Sequence, residues 1–308
     1  FYPSFMGPSS DIDVYMNESQ HLNIVACVAS PGPCPEYILE NGLLFRPCRW
    51  KFENNRFVYY QQICDPESGE VLEEVLSKDD PFHTVNLKLV KESKERSVTD
   101  RTKILVMPLH HPKLDSLQEV EALLDNKNVV ALKVHGVAMA SSPRDIKPEV
   151  IQALLKTNKS IIVHTDTFTK TPTLDIHKTY LMNSPVEWVQ WAIDTGVKVL
   201  ITHGARLSQE AISLAKGHSN IVIGLSPGIL IQNSDQDRLS KGTDNFELDL
   251  MSMVSPAQLV FDIDFGWNII NRGEWQNRDW QMEARINDIA QALGFTLAEL
   301  QQLYYYNS

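Results

Sequence analysis

Histidine, aspartate and lysine residues recur where short apolar runs of the chain end. Four runs end in this way, at Lys133 with His135, at His164 with Asp166, at His203, and at Asp262 with Asp264. Imidazole and carboxylate groups are the ligands that zinc, manganese and iron sites use in proteins. If the runs are neighbouring parallel strands, their ends meet at one face, where several strands can together supply a metal site.

The apolar runs that must position these residues are strands by their pattern. They are short and apolar on both faces, as expected for buried parallel strands, and they alternate with stretches of helical spacing. The runs cover residues 23–28, 103–107, 129–134, 160–163, 198–202, 220–223 and 258–261. The helical stretches cover residues 115–125, 148–155, 185–195, 208–216, 279–293 and 296–304. This alternation predicts an α/β fold with a parallel sheet.

The strand count favours a barrel. A (β/α)8 TIM barrel, regular or distorted, fits if its first strand lies at or before Phe1. A doubly wound open sheet is the alternative, but its Gly-x-Gly-x-x-Gly turn is absent from the sequence. We predict a single TIM-barrel domain over residues 1–308. Alternation around Asn54 and Asn55 predicts a β-hairpin-like insertion at about 43–80, after the second strand, as a lid, a subunit contact or a surface excursion.

The amino-acid composition limits the classes of binding partner that we expect. The chain has 28 Lys+Arg and 39 Asp+Glu, a net charge of −11, and no concentrated basic stretch. Nucleic acid is therefore excluded as an expected partner, and no apolar run reaches the length of a membrane span. Four cysteines without a Cys-x-x-Cys pair indicate neither a zinc ribbon nor a disulfide scaffold. We expect a cytoplasmic protein with a small-molecule substrate, and a homo-oligomer is compatible with this composition.

The strand-end motifs, in their order along the chain, resemble the amidohydrolase superfamily. They are Lys133-Val-His-Gly, Val163-His-Thr, Thr202-His-Gly and Phe261-Asp-Ile-Asp-Phe-Gly. His111-Pro112 before an acidic helix, and the closing Leu303-Tyr-Tyr-Tyr-Asn, are similar to the amidohydrolase-related, metal-dependent TIM-barrel branch of that superfamily. The resemblance spans residues 23–307. Each motif is short, so their order and spacing carry the inference.

The resemblance implies a divalent metal ion, zinc first, with manganese and iron as alternatives. His164 matches the metal ligand of the fifth strand. His203 matches a residue that binds a second metal or polarises water or substrate. Asp264 matches the residue that binds metal and takes the proton of the attacking water. Lys133 matches a position where a carboxylated lysine can bridge two metals, with a salt-bridged lysine as the alternative reading and His135 as a second candidate there.

The implied function is a metal-dependent hydrolase whose activated water attacks an amide, lactone or related bond. Non-oxidative decarboxylation on the same scaffold is the alternative, as is a metal-free or inactive barrel that binds a ligand or partner. Candidate substrate-binding residues are Arg206, Asp166, His135, Trp267 and His111. Arg206 suits a carboxylate group, and capping of a neighbouring helix is its other reading.

The chain departs from the family pattern at its start. The His-x-His pair of the first strand is absent, and Phe1-Tyr-Pro-Ser resembles the segment that follows this pair in relatives. Either the pair lies upstream of residue 1, or the chain is a metal-free relative.

Overall fold

A computed structural model describes Met16 and residues 24–32, 35–77, 79–99, 102–165, 176–225, 246–262 and 286–306. The chain divides into two compact units. Unit 1 comprises residues 1–160 and 171–175, and unit 2 comprises residues 161–170 and 176–308.

Unit 1 contains three parallel strands, β1 (Ala26–Ala29), β6 (Lys103–Val106) and β7 (Ala131–His135). Strand β1 pairs with β6 over their full four-residue length. Parallel backbone bridges at and beyond the end of β6 connect it to the β7 segment, one of them joining Leu109 to Lys133. A small apolar core lies among these strands and consists of Ala29, Leu89, Ile104, Val106 and Val129.

Three helices of unit 1 are α1 (His83–Thr99), α2 (Leu117–Leu124) and α3 (Pro148–Thr157). Helix α2 begins with a capping box, in which the Ser116 side chain accepts from the Glu119 N–H and the Glu119 carboxylate accepts from the Ser116 N–H. These contacts satisfy backbone donors that a helix start otherwise leaves unpaired. The predicted helices at 115–125 and 148–155 are confirmed.

An antiparallel sheet lies in the chain between β1 and β6. Its strands, in spatial order, are β2 (Tyr37–Ile38), β3 (Leu44–Glu53), β4 (Arg56–Cys64) and β5 (Val71–Leu76). Asn54 and Asn55 form the β3–β4 turn with left-handed φ values of 48° and 62°, which asparagine tolerates well. The predicted hairpin is therefore confirmed, and the structure adds a strand on each side of it.

The antiparallel sheet is bonded to the loop after β7. The indole N–H of Trp50 donates to the Val137 carbonyl at 2.7 Å, and the Tyr59 hydroxyl donates to the Ala140 carbonyl at 3.4 Å. These contacts are made by side chains of β3 and β4. The sheet thus contacts the loop that follows β7 in its own unit.

Unit 2 contains four parallel strands in the spatial order of the chain. They are β8 (Ser160–His164), β9 (Lys198–Ile201), β10 (Ile221–Leu225) and β11 (Leu259–Phe261). Their inward residues are fully or nearly buried. The predicted runs at these positions are confirmed as parallel strands.

Helices separate the strands of unit 2. They are α4 (Ile176–Asn183), α5 (Pro185–Thr195), α6 (Gln209–Ala215), α7 (Phe246–Met253) and α8 (Leu297–Gln301), with further helical residues at 286–292. Helix α5 begins with Pro185 in its first turn after the N-cap Ser184, and ends at Gly196 with a left-handed φ of 73°. This is the order of start and stop signals that the sequence displays.

The structure confirms an α/β fold with parallel strands. The described strands do not close into a barrel, and the region where a first barrel strand is predicted lies outside the described residues. Eight-stranded closure and the single domain over 1–308 remain predictions. Among the described residues, no helix is long and apolar enough to cross a membrane.

Candidate functional site

Two predicted ligands meet at the strand ends of unit 2. His164 is the last residue of β8, and His203 follows β9 by two positions. His203 Nε2 lies 2.9 Å from His164 Nδ1, and the two rings meet edge to face with centroids 4.6 Å apart. Adjacent parallel strands have brought together side chains 39 residues apart. We call His164 and His203 the strand-end histidine pair.

A left-handed turn presents His203 to its partner. Residues 203–207 all have φ between 49° and 59°, and Gly204 is the one residue among them without a Cβ. Left-handed backbone costs about 1–2 kcal/mol for each residue with a Cβ. His203, Ala205, Arg206 and Leu207 are buried, so surrounding packing must hold this turn. Strain of this kind is often found where a side chain must be aimed.

Hydrogen bonds connect the ends of β8 and β9 next to the strand-end histidine pair. The Thr202 hydroxyl donates to the Val163 carbonyl at 2.9 Å, and the Thr165 hydroxyl donates to the Thr202 carbonyl at 3.2 Å. Arg206 Nε donates to the Thr165 carbonyl at 2.7 Å. Arg206 is only 7% exposed, so this guanidinium helps to fix the loop after β8. Its predicted contact with substrate stays a prediction.

Asp262 approaches strand β10 closely. Its N–H donates to the Leu225 carbonyl at 3.1 Å, and a Cβ at Gly224 would lie only 3.3 Å from Asp262 Oδ2. Glycine at position 224 therefore makes room for this carboxylate. The neighbouring predicted residues Asp264 and Trp267, and Asp166 after β8, lie outside the described residues.

The strand-end histidine pair has donor chemistry that fits a divalent metal. The two ring nitrogens are 2.9 Å apart, the distance of a hydrogen bond. Each is a ligand atom of the kind that zinc binds in proteins. Imidazole is a common ligand of zinc and iron, and the predicted carboxylate ligand, Asp264, comes from the segment after β11.

Two predicted residues lie on β7 in unit 1. The backbone of Lys133 donates to the Pro108 carbonyl at 2.7 Å and accepts from the His110 N–H at 2.9 Å. The His135 ring accepts from the Ala138 N–H through Nδ1 at 3.2 Å. Both side chains are half-buried. Metal binding by Lys133 and substrate binding by His135 remain predictions.

A second group of polar side chains is buried in unit 1, and we call His110, His111, Asp115 and Asp80 the buried acid–histidine cluster. His110 Nδ1 lies 2.8 Å from Asp115 Oδ2, which also accepts from the His111 N–H at 2.8 Å. Both histidines are fully buried, and their Nε2 atoms meet no partner among the described residues.

His111, predicted to bind substrate, lies inside this cluster. Its ring meets Tyr59 edge to face at 4.6 Å and stacks with Phe82 at 6.2 Å. Burial, with the nearby His110 as a further cause, lowers the pKa of His111 to about 3. The ring is therefore neutral near pH 7. A substrate contact by His111 remains a prediction, and its observed surroundings are aromatic.

The sequence analysis did not identify Asp80, Asp115 or Glu119 of unit 1 as candidate site residues. Burial, followed by the charge of Asp115, raises the pKa of Asp80 to about 8. Ligand atoms of Asp80, His83 and Glu119 lie within 4.8 Å of one another. Asp80 and Asp115 each precede a helix, where an aspartate is ordinarily read as a cap. Nothing in the local pattern shows that the two helix starts meet.

Comparison with known proteins finds similar solved structures. Neither a protein-family model nor a curated protein matches the chain. The chain is similar to a solved structure of an amidohydrolase II, with 12% identity over 99% of this chain and 89% of that one, at a TM-score of 0.48.

Two further solved structures are similar. One is the IDCase of Metarhizium anisopliae in apo form, with 12% identity, coverage of 75% of this chain and 69% of that one, and a TM-score of 0.47. The other is 5-carboxyvanillate decarboxylase of Sphingomonas paucimobilis, with 11% identity, coverage of 62% and 65%, and a TM-score of 0.39. At these sequence identities and TM-scores, none of the three structures assigns a reaction or a residue role to this chain.

Proposed function

We propose that the chain is a metal-dependent hydrolase that acts on an amide, lactone or related bond of a small molecule. The observation that supports this proposal is the strand-end histidine pair, whose ring nitrogens lie 2.9 Å apart at the ends of adjacent parallel strands. In this proposal His164, His203 and Asp264 hold a divalent cation, zinc first. A divalent metal lowers the pKa of bound water toward about 7 and polarises a carbonyl group.

The protein's own residues then have separate tasks. Asp264 takes the proton of the attacking water and returns it to the leaving group. His203 lies in a left-handed turn that places its Nε2 beside His164 Nδ1, and in this proposal it is a ligand of the cation. The threonine and Arg206 hydrogen bonds at the ends of β8 and β9 keep both rings in place. Preorganisation of this kind spares the site from reorganising during the reaction.

Metal content tests the proposal directly. The protein expressed from its natural gene is purified without added chelator, and zinc, manganese and iron are measured by elemental analysis. At least one equivalent is expected, with loss of that equivalent in His164→Ala and in His203→Ala. His218→Ala is the matched control, because this histidine lies in the turn after α6 and outside the proposed ligand set. Unchanged metal content in both ligand variants would overturn the assignment.

A substrate screen separates hydrolysis from decarboxylation, since the same donor set permits either reaction. Amides, lactones and aromatic carboxylates are offered to the metal-loaded protein, and carbon dioxide release is recorded beside hydrolysis. Hydrolysis without carbon dioxide supports the proposal. Carbon dioxide from a carboxylate, without hydrolysis, would replace it by the decarboxylase alternative.

A further inference from the structure

A carboxylate side chain lies at the same sheet edge as the strand-end histidine pair. Asp262 directly follows β11, and its N–H donates to the Leu225 carbonyl at 3.1 Å, which continues the parallel pairing with β10 by one residue. In the sheet of unit 2, β10 separates β11 from β9, and β9 is the neighbour of β8. Asp262 therefore lies at the carboxyl ends of the strands that also carry His164 and His203.

The carboxylate of Asp262 lies over the backbone of β10. Gly224 of β10 pairs with Val260 of β11, and side chains alternate between the two faces along a strand, so Asp262 shares a face with Gly224. A Cβ at Gly224 would lie 3.3 Å from Asp262 Oδ2 and 3.5 Å from Leu200 Cδ1 of β9. Because glycine has no side chain, the carboxylate extends across β10 toward β9.

His164 lies on the same face of the sheet as this carboxylate. The register of β9 with β10 places Thr202 beside Gly224, one residue beyond their last bonded pair. The Thr202 N–H donates to the Val163 carbonyl at 3.2 Å, so the next residue of β8, His164, lies beside Thr202. With neighbouring strands about 4.8 Å apart, the backbones of His164 and Gly224 are about 10 Å apart along this row. The row ends on the face that Asp262 occupies.

The residues between the imidazole and the carboxylate are small. Thr202 and Gly224 are buried, whereas His164 and Asp262 are half-buried. A molecule of a few carbon atoms is therefore long enough to contact both half-buried side chains.

Asp262 is too far from the histidines to be a third ligand of the same ion. Among the described residues, the potential ligand atoms of Asp80, His83 and Glu119 form the one group of three that lie within 4.8 Å of one another. Asp262 thus does not complete such a group with the strand-end histidine pair. Its place on the same face suits contact with the substrate, at a distance from the proposed cation.

We propose that Asp262 is a specificity-determining residue, which binds an ammonium group of the substrate in the site that the strand-end histidine pair forms. The inference rests on the proposed function and names its substrate class, an amide or lactone with an amine a few bonds from the carbonyl group. Hydrogen bonds between a carboxylate and an ammonium group are charge-assisted and therefore strong. The same charge disfavours a substrate carboxylate, because like charges repel.

Contacts of Asp262 within the protein are compatible with this role. A carboxylate has two oxygens with about four lone-pair sites, so it accepts from a protein donor and from a substrate N–H together. Gly224 is the positioning residue, because any side chain at that place would meet Asp262 Oδ2.

Binding of three matched amides tests the role of Asp262. 4-Aminobutanamide carries the ammonium group, pentanamide has a methyl group in its place, and glutaramate has a carboxylate there. Each amide is titrated into the full chain in the presence of Zn²⁺, and binding is followed by ligand-observed nuclear magnetic resonance. We expect 4-aminobutanamide to bind at least tenfold more tightly than either of the other two.

Variants assign this preference to the carboxylate. With Asp262→Asn, the affinity for 4-aminobutanamide falls to that for pentanamide, and the affinity for pentanamide changes less than twofold. Gly224→Ala displaces the carboxylate and also lowers the preference, but it changes nothing further when combined with Asp262→Gly. Asp194→Asn, at an exposed carboxylate in the last turn of α5, is the matched control and keeps the preference.

Ammonia release, recorded in the same samples, separates the two proposals. Equal affinities for the ammonium and methyl amides overturn the role of Asp262, as does a preference that Asp262→Asn leaves unchanged, or the absence of binding by all three amides. Ammonia release without the preference supports the hydrolase and refutes the role of Asp262. A preference that Asp262→Asn removes, without ammonia release, supports this role and counts against amide hydrolysis.

Discussion

Histidines follow strand ends in both units, and their surroundings differ. In unit 2, His164 and His203 contact each other at 2.9 Å, and His164 is half-buried. In unit 1, His110 is fully buried and contacts the Asp115 carboxylate at 2.8 Å. A strand-end position therefore does not define a role. The contacting partner of the ring does: two imidazoles in contact offer two nitrogen ligands to a metal ion, whereas an acid–histidine contact organises the fold.

The largest expected effect is a loss of turnover when either histidine of the strand-end pair in unit 2 is replaced. His164→Ala and His203→Ala each abolish metal-dependent turnover, because each removes a proposed ligand of the cation. The free energy of unfolding falls by less than about 2 kcal/mol, since one hydrogen bond and limited packing are lost. Turnover of a screened substrate and urea unfolding are measured together. Retained turnover in either variant would place the chemistry elsewhere in the molecule.

Asp115→Ala in unit 1 is expected to act mainly on stability, in contrast to the two histidine variants. It removes the acceptor for His110 Nδ1 and for the His111 N–H and leaves both donors buried. We expect a loss of about 3–5 kcal/mol in the free energy of unfolding. Asp115→Asn is the matched control and costs less, because its amide oxygen still accepts. Equal losses in the two variants would show that charge, and not hydrogen bonding, governs the cluster.

Asp80 makes the stability of unit 1 depend on pH. Its pKa is raised to about 8, above that of the unfolded chain, so the folded state retains a proton that the unfolded chain has released. Stability is therefore greatest at low pH for this group and falls between about pH 4 and 8, by at most about 1.4 kcal/mol per pH unit. Asp80→Asn stays neutral and flattens this fall, as measured by urea unfolding across this pH range. Identical slopes in both proteins would contradict the assignment.

The smallest expected effects come from two glycine substitutions at residues with left-handed backbone, one in each unit. Ala205 has φ of 49° and is buried, and Asn55 has φ of 62° in an exposed turn. Ala205→Gly relieves about 1–2 kcal/mol of strain and loses about 0.8 kcal/mol of methyl burial, so stability rises by up to about 1 kcal/mol. Asn55→Gly changes stability by less than about 0.5 kcal/mol, because asparagine already tolerates this backbone. Thermal unfolding measures both, and a larger gain at Asn55 would reverse the interpretation.

Much of the local structure was predictable because it depends on neighbouring residues. The strands appear as apolar runs, and the order of Ser184, Pro185 and Gly196 marks the start and end of α5. Asn54 and Asn55 indicate the hairpin turn. The left-handed turn at 203–207 was not predicted, since only Gly204 in it favours such backbone. Its conformation depends on packing around buried side chains, which adjacent residues do not reveal.

For the candidate sites, too, what the sequence predicts can be separated from what only the tertiary structure shows. The sequence by itself determined that His164 and His203 end consecutive strands, and parallel pairing then requires those ends to meet. Only the tertiary structure decided that Asp80 and Asp115, 35 positions apart, face one another while Asp115 also orients His110. Strand ends converge by a general rule of parallel sheets. Helix starts do not, so the approach of α1 to α2 follows from how unit 1 packs its core.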